Sequence, residues 1–196
     1  MSGERLDRST AADGQEQPPT TAADRAPAPG ESDVWSVVAR VPDPELPTLS
    51  IAELGILREV RVAADRRVTV TITPTYAGCP AMEAIRGDIR TALHAAGYPD
   101  VEIRTVWSPP WTTDWLTDSA RSKLAAAGIA PPPPVAVATT VDPGPRRGLP
   151  IVALRPDCPR CGSSTVREVS RFGATACRSL WTCQTCTEPF EHLKAH

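Results

Sequence analysis

Four of the six cysteines fall in two C-x-x-C pairs, Cys158–Cys161 and Cys183–Cys186, with 21 residues between them. Each pair can turn two thiolates onto one ion at about 2.3 Å, and two such turns complete a tetrahedral four-cysteine site. Four thiolates leave no open coordination position, so the ion is expected to be structural rather than catalytic. Zinc is the expected metal, with iron as the other ion that thiolate tetrads hold. A module as small as residues 157–196 cannot be stable on its own core, and metal binding supplies the missing stability.

The other two thiols stand in different surroundings. Thr71-Ile72-Thr73 reads as the end of a strand, Pro74 stops it, and Pro80 suits the first turn of a helix. That places Cys79 at or near a helix N-cap, where the dipole should lower its pKa and raise its reactivity. A small buried residue capping the helix fits the same spacing. Cys177 lies in Phe172-Gly173-Ala174-Thr175-Ala176-Cys177-Arg178. A glycine-bearing turn beside a thiol and an arginine could hold an anion or a metal, and equally could be a hairpin tip with an incidental thiol. Asp43-Pro44-Glu45-Leu46-Pro47 sets two carboxylates about a rigid proline, both expected to face outward, as they would in a solvated loop. None of His94, His192 and His196 falls in a recognisable Cys–His pairing, which argues against an enzyme with a cysteine nucleophile.

The elements that must position these residues follow from periodicity. Ser32 or Asp33 is expected to cap a short helix with Val34, Val37, Val38 and Val41 on one face, ended by Pro42. Ser50 to Gly55 reads as a capped helical turn closed by glycine. Leu57–Val62 and Val68–Thr73 form a hairpin, and Met82, Ile85, Ile89 and Leu93 mark the apolar face of a helix over 80–96. Val101–Trp107 is a third strand, and Thr113 or Asp114 caps a last helix that Gly128 stops. The order α-β-β-α-β-α predicts an α+β fold, with helices packed on a small antiparallel sheet.

Residues 1–31 carry too little apolar surface to offset ordering entropy and read as a disordered tail. The folded module is expected over 32–130. Residues 131–156 open on four consecutive prolines and read as a stiff Pro-rich linker, with Val135–Val141 as a candidate edge strand. The ribbon follows at 157–196, its hairpin strands near Thr165–Ser170 and Ser179–Thr182. A formal net charge of -2 and 5% aromatic residues give no support for nucleic-acid binding. Neither a signal peptide nor a run long enough to cross a membrane is visible, so a reducing, cytoplasmic setting is expected.

Three motifs in order carry a family resemblance: Asp43-Pro44-Glu45-Leu46 with Ser50-Ile51 and Leu54-Gly55-Ile56; Thr71 and Thr73-Pro74-Thr75 with Cys79-Pro80; and Ser108-Pro109-Pro110-Trp111-Thr112. Over about residues 33–130 the chain resembles the SufT-like iron–sulfur assembly proteins. The four-cysteine zinc ribbon, Phe172–Arg178 and Glu188-Pro189-Phe190 make the whole chain similar to the PaaD family, accessory proteins of the phenylacetyl-CoA epoxidase system. It departs from that pattern at Ala195, where a cysteine is expected.

The resemblance implies a non-catalytic role in phenylacetate catabolism, assisting insertion of an Fe–S cluster or iron into the epoxidase complex. The clients implied are its reductase, which carries a [2Fe–2S] centre, or its di-iron oxygenase. Cys79 would be a transient cluster or iron ligand, with Asp43, Glu45, Thr73 and Thr75 around it. Cys177 would be a second thiolate, which a homodimer interface could bring to the first. The alternative is a structural or adaptor component of the epoxidase complex that transfers no metal.

Overall fold

The computed structural model describes residues 30–133 and 155–194. The tail expected over 1–31 and the linker expected over 131–156, with its candidate strand at Val135–Val141, lie almost wholly outside those residues, as does Ala195.

Helix α1 (Glu31–Val38) begins two residues earlier than a Ser32 cap would place it and three earlier than an Asp33 cap would. Gly30, at φ 87°, occupies the cap position without a side-chain bond, and Glu31 and Asp33 in the first turn complement the helix dipole. Val34 and Val38 are fully buried beneath it. Strands β1 (Leu57–Val62) and β2 (Val68–Ile72) form the expected antiparallel hairpin, with Val60 opposite Val70. On β2, Val68, Val70 and Ile72 alternate onto the buried face.

Helix α2 (Ala81–Ala95) then recrosses the sheet on Met82, Ile85, Ile89 and Leu93, all buried. It ends in a Schellman turn: Tyr98 N–H donates to Leu93 O and Gly97 N–H to His94 O, with Gly97 at φ 85°. Because α2 carries the chain back along the sheet, β3 (Val101–Thr105) enters in the same direction as β2 and pairs with it in parallel. The first sheet, β1-β2-β3, is therefore mixed, which corrects the expectation of an antiparallel one. The α+β class and the element order stand.

The last helix differs from expectation as well. Thr112 caps only a 3-10 turn (Thr113–Trp115), Leu116 is extended, and Thr117 caps α3 (Asp118–Ala126) by accepting from Ala120 N–H. Two caps five residues apart compete for the same segment, and the chain uses both.

After α3, β4 (Ile129–Ala130) joins the ribbon rather than the first sheet. The second sheet runs β4-β7-β6-β5, built with β5 (Val166–Ser170), β6 (Arg178–Cys183) and β7 (Pro189–Leu193). The β5–β6 and β6–β7 pairs are antiparallel, and β4 lies parallel to β7. A small core of Ala130, Val166, Trp181 and Phe190 surrounds Cys158 and Cys183. Cys177 and Leu193, although in the ribbon, pack instead into the core of the first module. That seam is where the remaining chemistry-bearing residues meet.

Candidate metal-handling sites

The ribbon quartet is assembled. The four Sγ atoms of Cys158, Cys161, Cys183 and Cys186 lie within 4.8 Å of one another. Cys158 and Cys186 are 3.7 Å apart at sulfur, and Cys161 and Cys183 are 3.6 Å apart. A tetrahedron with metal–sulfur arms of about 2.3 Å has edges of about 3.8 Å, so the thiols fit a tetrathiolate ion. The Cys186 and Thr185 N–H groups point at Cys183 Sγ from 3.5 and 3.4 Å, and hold its thiol down to about 6. These are donors that a metal-bound thiolate requires.

The second cluster forms between the modules. In the acidic loop, Asp43 Oδ1 accepts from Glu45 N–H at 2.9 Å and Leu46 N–H at 2.8 Å, an Asx turn that folds the carboxylate inward. Asp43 is only 5% exposed, so the expectation that both acids face solvent fails for it. The two amides satisfy Oδ1 and so offset part of the penalty for taking the carboxylate out of water. Burial raises its pKa, with the Leu46 and Glu45 amides opposing. Glu45 is half-buried and turns toward the ribbon.

Cys79 lies one residue ahead of the α2 cap, which is Pro80, and is half-buried. The expected fall in its pKa is reversed. Burial pushes the thiol up, the Ala81 amide pulls it down, and the charges of Glu45 and Asp43 push it up again. The helix end is real, but desolvation and two carboxylates outweigh it.

Cys177 reaches the same place within a single chain, with no second copy needed. Its Sγ lies 3.0 Å from Thr175 Oγ1 and 3.3 Å from Glu45 Oε2. Burial first, and then Glu45 against the opposing Thr175, push this thiol up to about 11. Arg178 binds Glu191 at 2.6 Å, Thr175 Oγ1 at 3.0 Å and Glu45 O at 3.4 Å, and Ala174 N–H donates to Glu191 at 2.7 Å. The anion held by the glycine-bearing turn is thus the protein's own Glu191 carboxylate.

Asp43, Glu45, Thr75, Cys79 and Cys177 together line a cavity of about 20 Å³. Thr73 does not line it; it is buried at the strand end, its N–H bonded to Ile56 O. Three further residues, none of them expected at the site, border the cluster. Lys194 lines the cavity, as does Trp111, whose indole N–H donates to Leu54 O at 2.8 Å. Tyr76 stands close enough that Cys79, Glu45 and Cys177 all raise its phenol pKa, after burial. The only signals for them in the sequence are the scarcity of lysine and tyrosine and the place of Trp111 in the Ser-Pro-Pro-Trp run. His94 is exposed at the end of α2 and His192 is buried in the ribbon against Trp181. Among the described residues no helix is long and apolar enough to cross a membrane.

Comparison with known proteins bears on both modules. Residues 31–104 match the model of an iron–sulfur cluster assembly protein, and residues 144–194 match the PaaD zinc beta ribbon domain. A protein of Escherichia coli K12, named as a putative subunit of 1,2-phenylacetyl-CoA epoxidase, is 38% identical over 85% of this chain and 93% of its own length. The "Fe-S protein maturation auxiliary factor SufT" of Staphylococcus aureus is 36% identical over 43% of this chain and 97% of its own. A Bacillus anthracis domain of unknown function covers 48% of this chain and 90% of its own, with 28% identity and a TM-score of 0.45.

Proposed function

The chain belongs to the PaaD family, and on that premise we propose that it is a non-catalytic assembly factor that delivers iron or an Fe–S cluster to the phenylacetyl-CoA epoxidase, its reductase being the client. The observation that carries this reading is the meeting of Cys79, Cys177, Asp43 and Glu45 at one cavity, from three separate stretches of chain. Thiolates bind iron tightly, and two of them beside carboxylates suit a site that must also let go. Neither His94 nor His192 lines the cavity, so the Cys–His pairing that activates a cysteine nucleophile is not formed here. The names of the relatives, an epoxidase component and a maturation factor, support the same role and the same pathway.

The ribbon quartet is assigned to zinc, which holds β5, β6 and β7 together and takes no part in transfer. Thr75 and Thr73 flank the loop that presents Cys79, the first at the cavity and the second fixing the strand end. The protein is placed in the cytoplasm, where free thiols remain reduced.

The test is to produce the epoxidase components with the protein, without it, and with Cys79→Ala, and then to measure iron and cluster content in each component. The expected result is a reductase deficient in cluster in the second and third cases. Full metallation and activity without the protein would defeat the proposal. Fully metallated components co-purifying with the chain in fixed stoichiometry would favour the adaptor role instead.

A further inference from the structure

We infer that the cargo held between the two modules is a single ferrous ion rather than a preassembled cluster, ligated by the Cys79 and Cys177 thiolates and the Glu45 carboxylate. This rests on the proposed role in iron delivery and names the form in which iron is carried.

Size is the first argument. The cavity these residues enclose measures about 20 Å³. One water or ion needs roughly 10–15 Å³ measured this way, so there is room for a single small occupant. A [2Fe–2S] core has four heavy atoms in a rigid rhomb, and its entry would force the modules apart. The modules are joined here by the β4–β7 pairing and by the Arg178 guanidinium on Glu45 O at 3.4 Å. Opening them to admit a cluster would break these contacts, whereas a lone ion asks only for side-chain movement at the cavity wall.

Donor chemistry is the second. Cys177 Sγ and Glu45 Oε2 already stand 3.3 Å apart, the thiol donating to the carboxylate. An ion that displaces that proton to solvent takes up one sulfur and one oxygen at once, and Cys79, which lines the same cavity, turns in and gives up its own proton to supply the second sulfur. A mixed thiolate–carboxylate set suits a borderline divalent first-row ion, whereas clusters are held mainly by thiolates. Asp43 lines the same cavity with its Oδ1 engaged by two backbone amides, and adds negative potential beside the ligands. Lys194, also at the cavity, offsets part of the charge.

One consequence concerns the ribbon. It supplies Cys177, so it contributes a cargo ligand in addition to its own metal. Neither module alone holds the complete set.

The experiment is anaerobic titration of the full, zinc-loaded chain with Fe2+ alone, and in parallel with Fe2+ plus sulfide, read by Mössbauer and X-ray absorption spectroscopy. The expected result is one high-spin ferrous ion per chain without sulfide, with sulfur and oxygen neighbours and no iron–iron scattering. Cys177→Ser and Glu45→Gln should each weaken binding by at least about tenfold with zinc content unchanged, the lower range found even for loss of groups behind a ligand. Glu45 is only half-buried, so its variant guards against a folding defect in the other. Iron retained only with sulfide, and showing iron–iron scattering, would overturn the single-ion inference and leave the delivery role intact. Undiminished binding by both variants would overturn the ligand set. No iron retained in either arm would overturn the delivery role itself.

Discussion

The thiol of Cys177 lies 3.3 Å from Oε2 of Glu45, a residue 132 positions earlier, and so couples the ribbon to the acidic loop of the first module. The same carboxylate also raises the pKa of Cys79. Burial raises both thiols first and this one charge adds to it at each, so its removal should make both thiolates easier to form. Glu45→Gln is expected to speed alkylation of Cys79 severalfold at pH 8, measured by peptide mass spectrometry with Cys177 followed in the same digest. Slower labelling of Cys79 in that variant would contradict the electrostatic account.

Loss of one ribbon ligand should cost the whole ribbon. Cys183 receives two backbone amides and pairs at 3.6 Å with Cys161, so Cys183→Ser removes the best-stabilised thiolate of the set. Structural zinc is worth on the order of 10 kcal/mol in small domains, far beyond what a core of Val166, Trp181 and Phe190 can replace. Zinc content should fall from one per chain to none, and the Trp181 environment should be lost in near-UV circular dichroism. Retention of one zinc would break the ligand assignment.

What is legible in the sequence is what local pattern controls. The C-x-x-C pairs announce the ribbon because the spacing itself makes the turn, and Met82, Ile85, Ile89 and Leu93 announce α2 because one helix face is one period. The direction of β3 departs from expectation because α2 acts as a crossover, a role that depends on how the helix lies on the sheet. The charge state of Cys79 departs for a deeper reason. The helix terminus is local and visible, but the burial and the carboxylates that outweigh it come from tertiary packing. Cys177 beside Glu45 has no local signature at all; only the docking of β6 and β7 brings them together.

Gly55 is a position where the fold tolerates no side chain. It sits at φ 71°, and a Cβ there would stand 2.6 Å from Trp115 Cβ and 2.9 Å from Trp115 O. Trp115 cannot yield easily, since the Arg58 guanidinium stacks on its ring at 3.6 Å. Gly55→Ala should destabilise the first module by on the order of 2–3 kcal/mol, combining backbone strain with overpacking. Urea unfolding followed by tryptophan fluorescence measures it. Because Leu54 next to it lines the cavity, iron retention should fall in the same variant.

His192 should make the ribbon acid-sensitive apart from its thiolates. It is 6% exposed, packs edge-on against Trp181, and its Nδ1 lies 3.4 Å from Ser179 Oγ. Burial lowers its pKa from 6.5 to about 4. The folded chain therefore keeps the ring neutral where the unfolded chain protonates it, so the unfolded state binds more protons between those values. Stability is fully present above pH 6.5, declines as pH falls toward 4, and stops declining on this account below that. Between pH 7 and pH 5 the loss amounts to about 2 kcal/mol. His192→Gln cannot titrate, so the difference in unfolding free energy between it and the parent chain should shift by that amount over the same interval, against the parent. The zinc thiolates titrate alike in both proteins and cancel in the comparison. A constant difference from pH 7 to pH 5 would show that the ring is not held neutral by its burial.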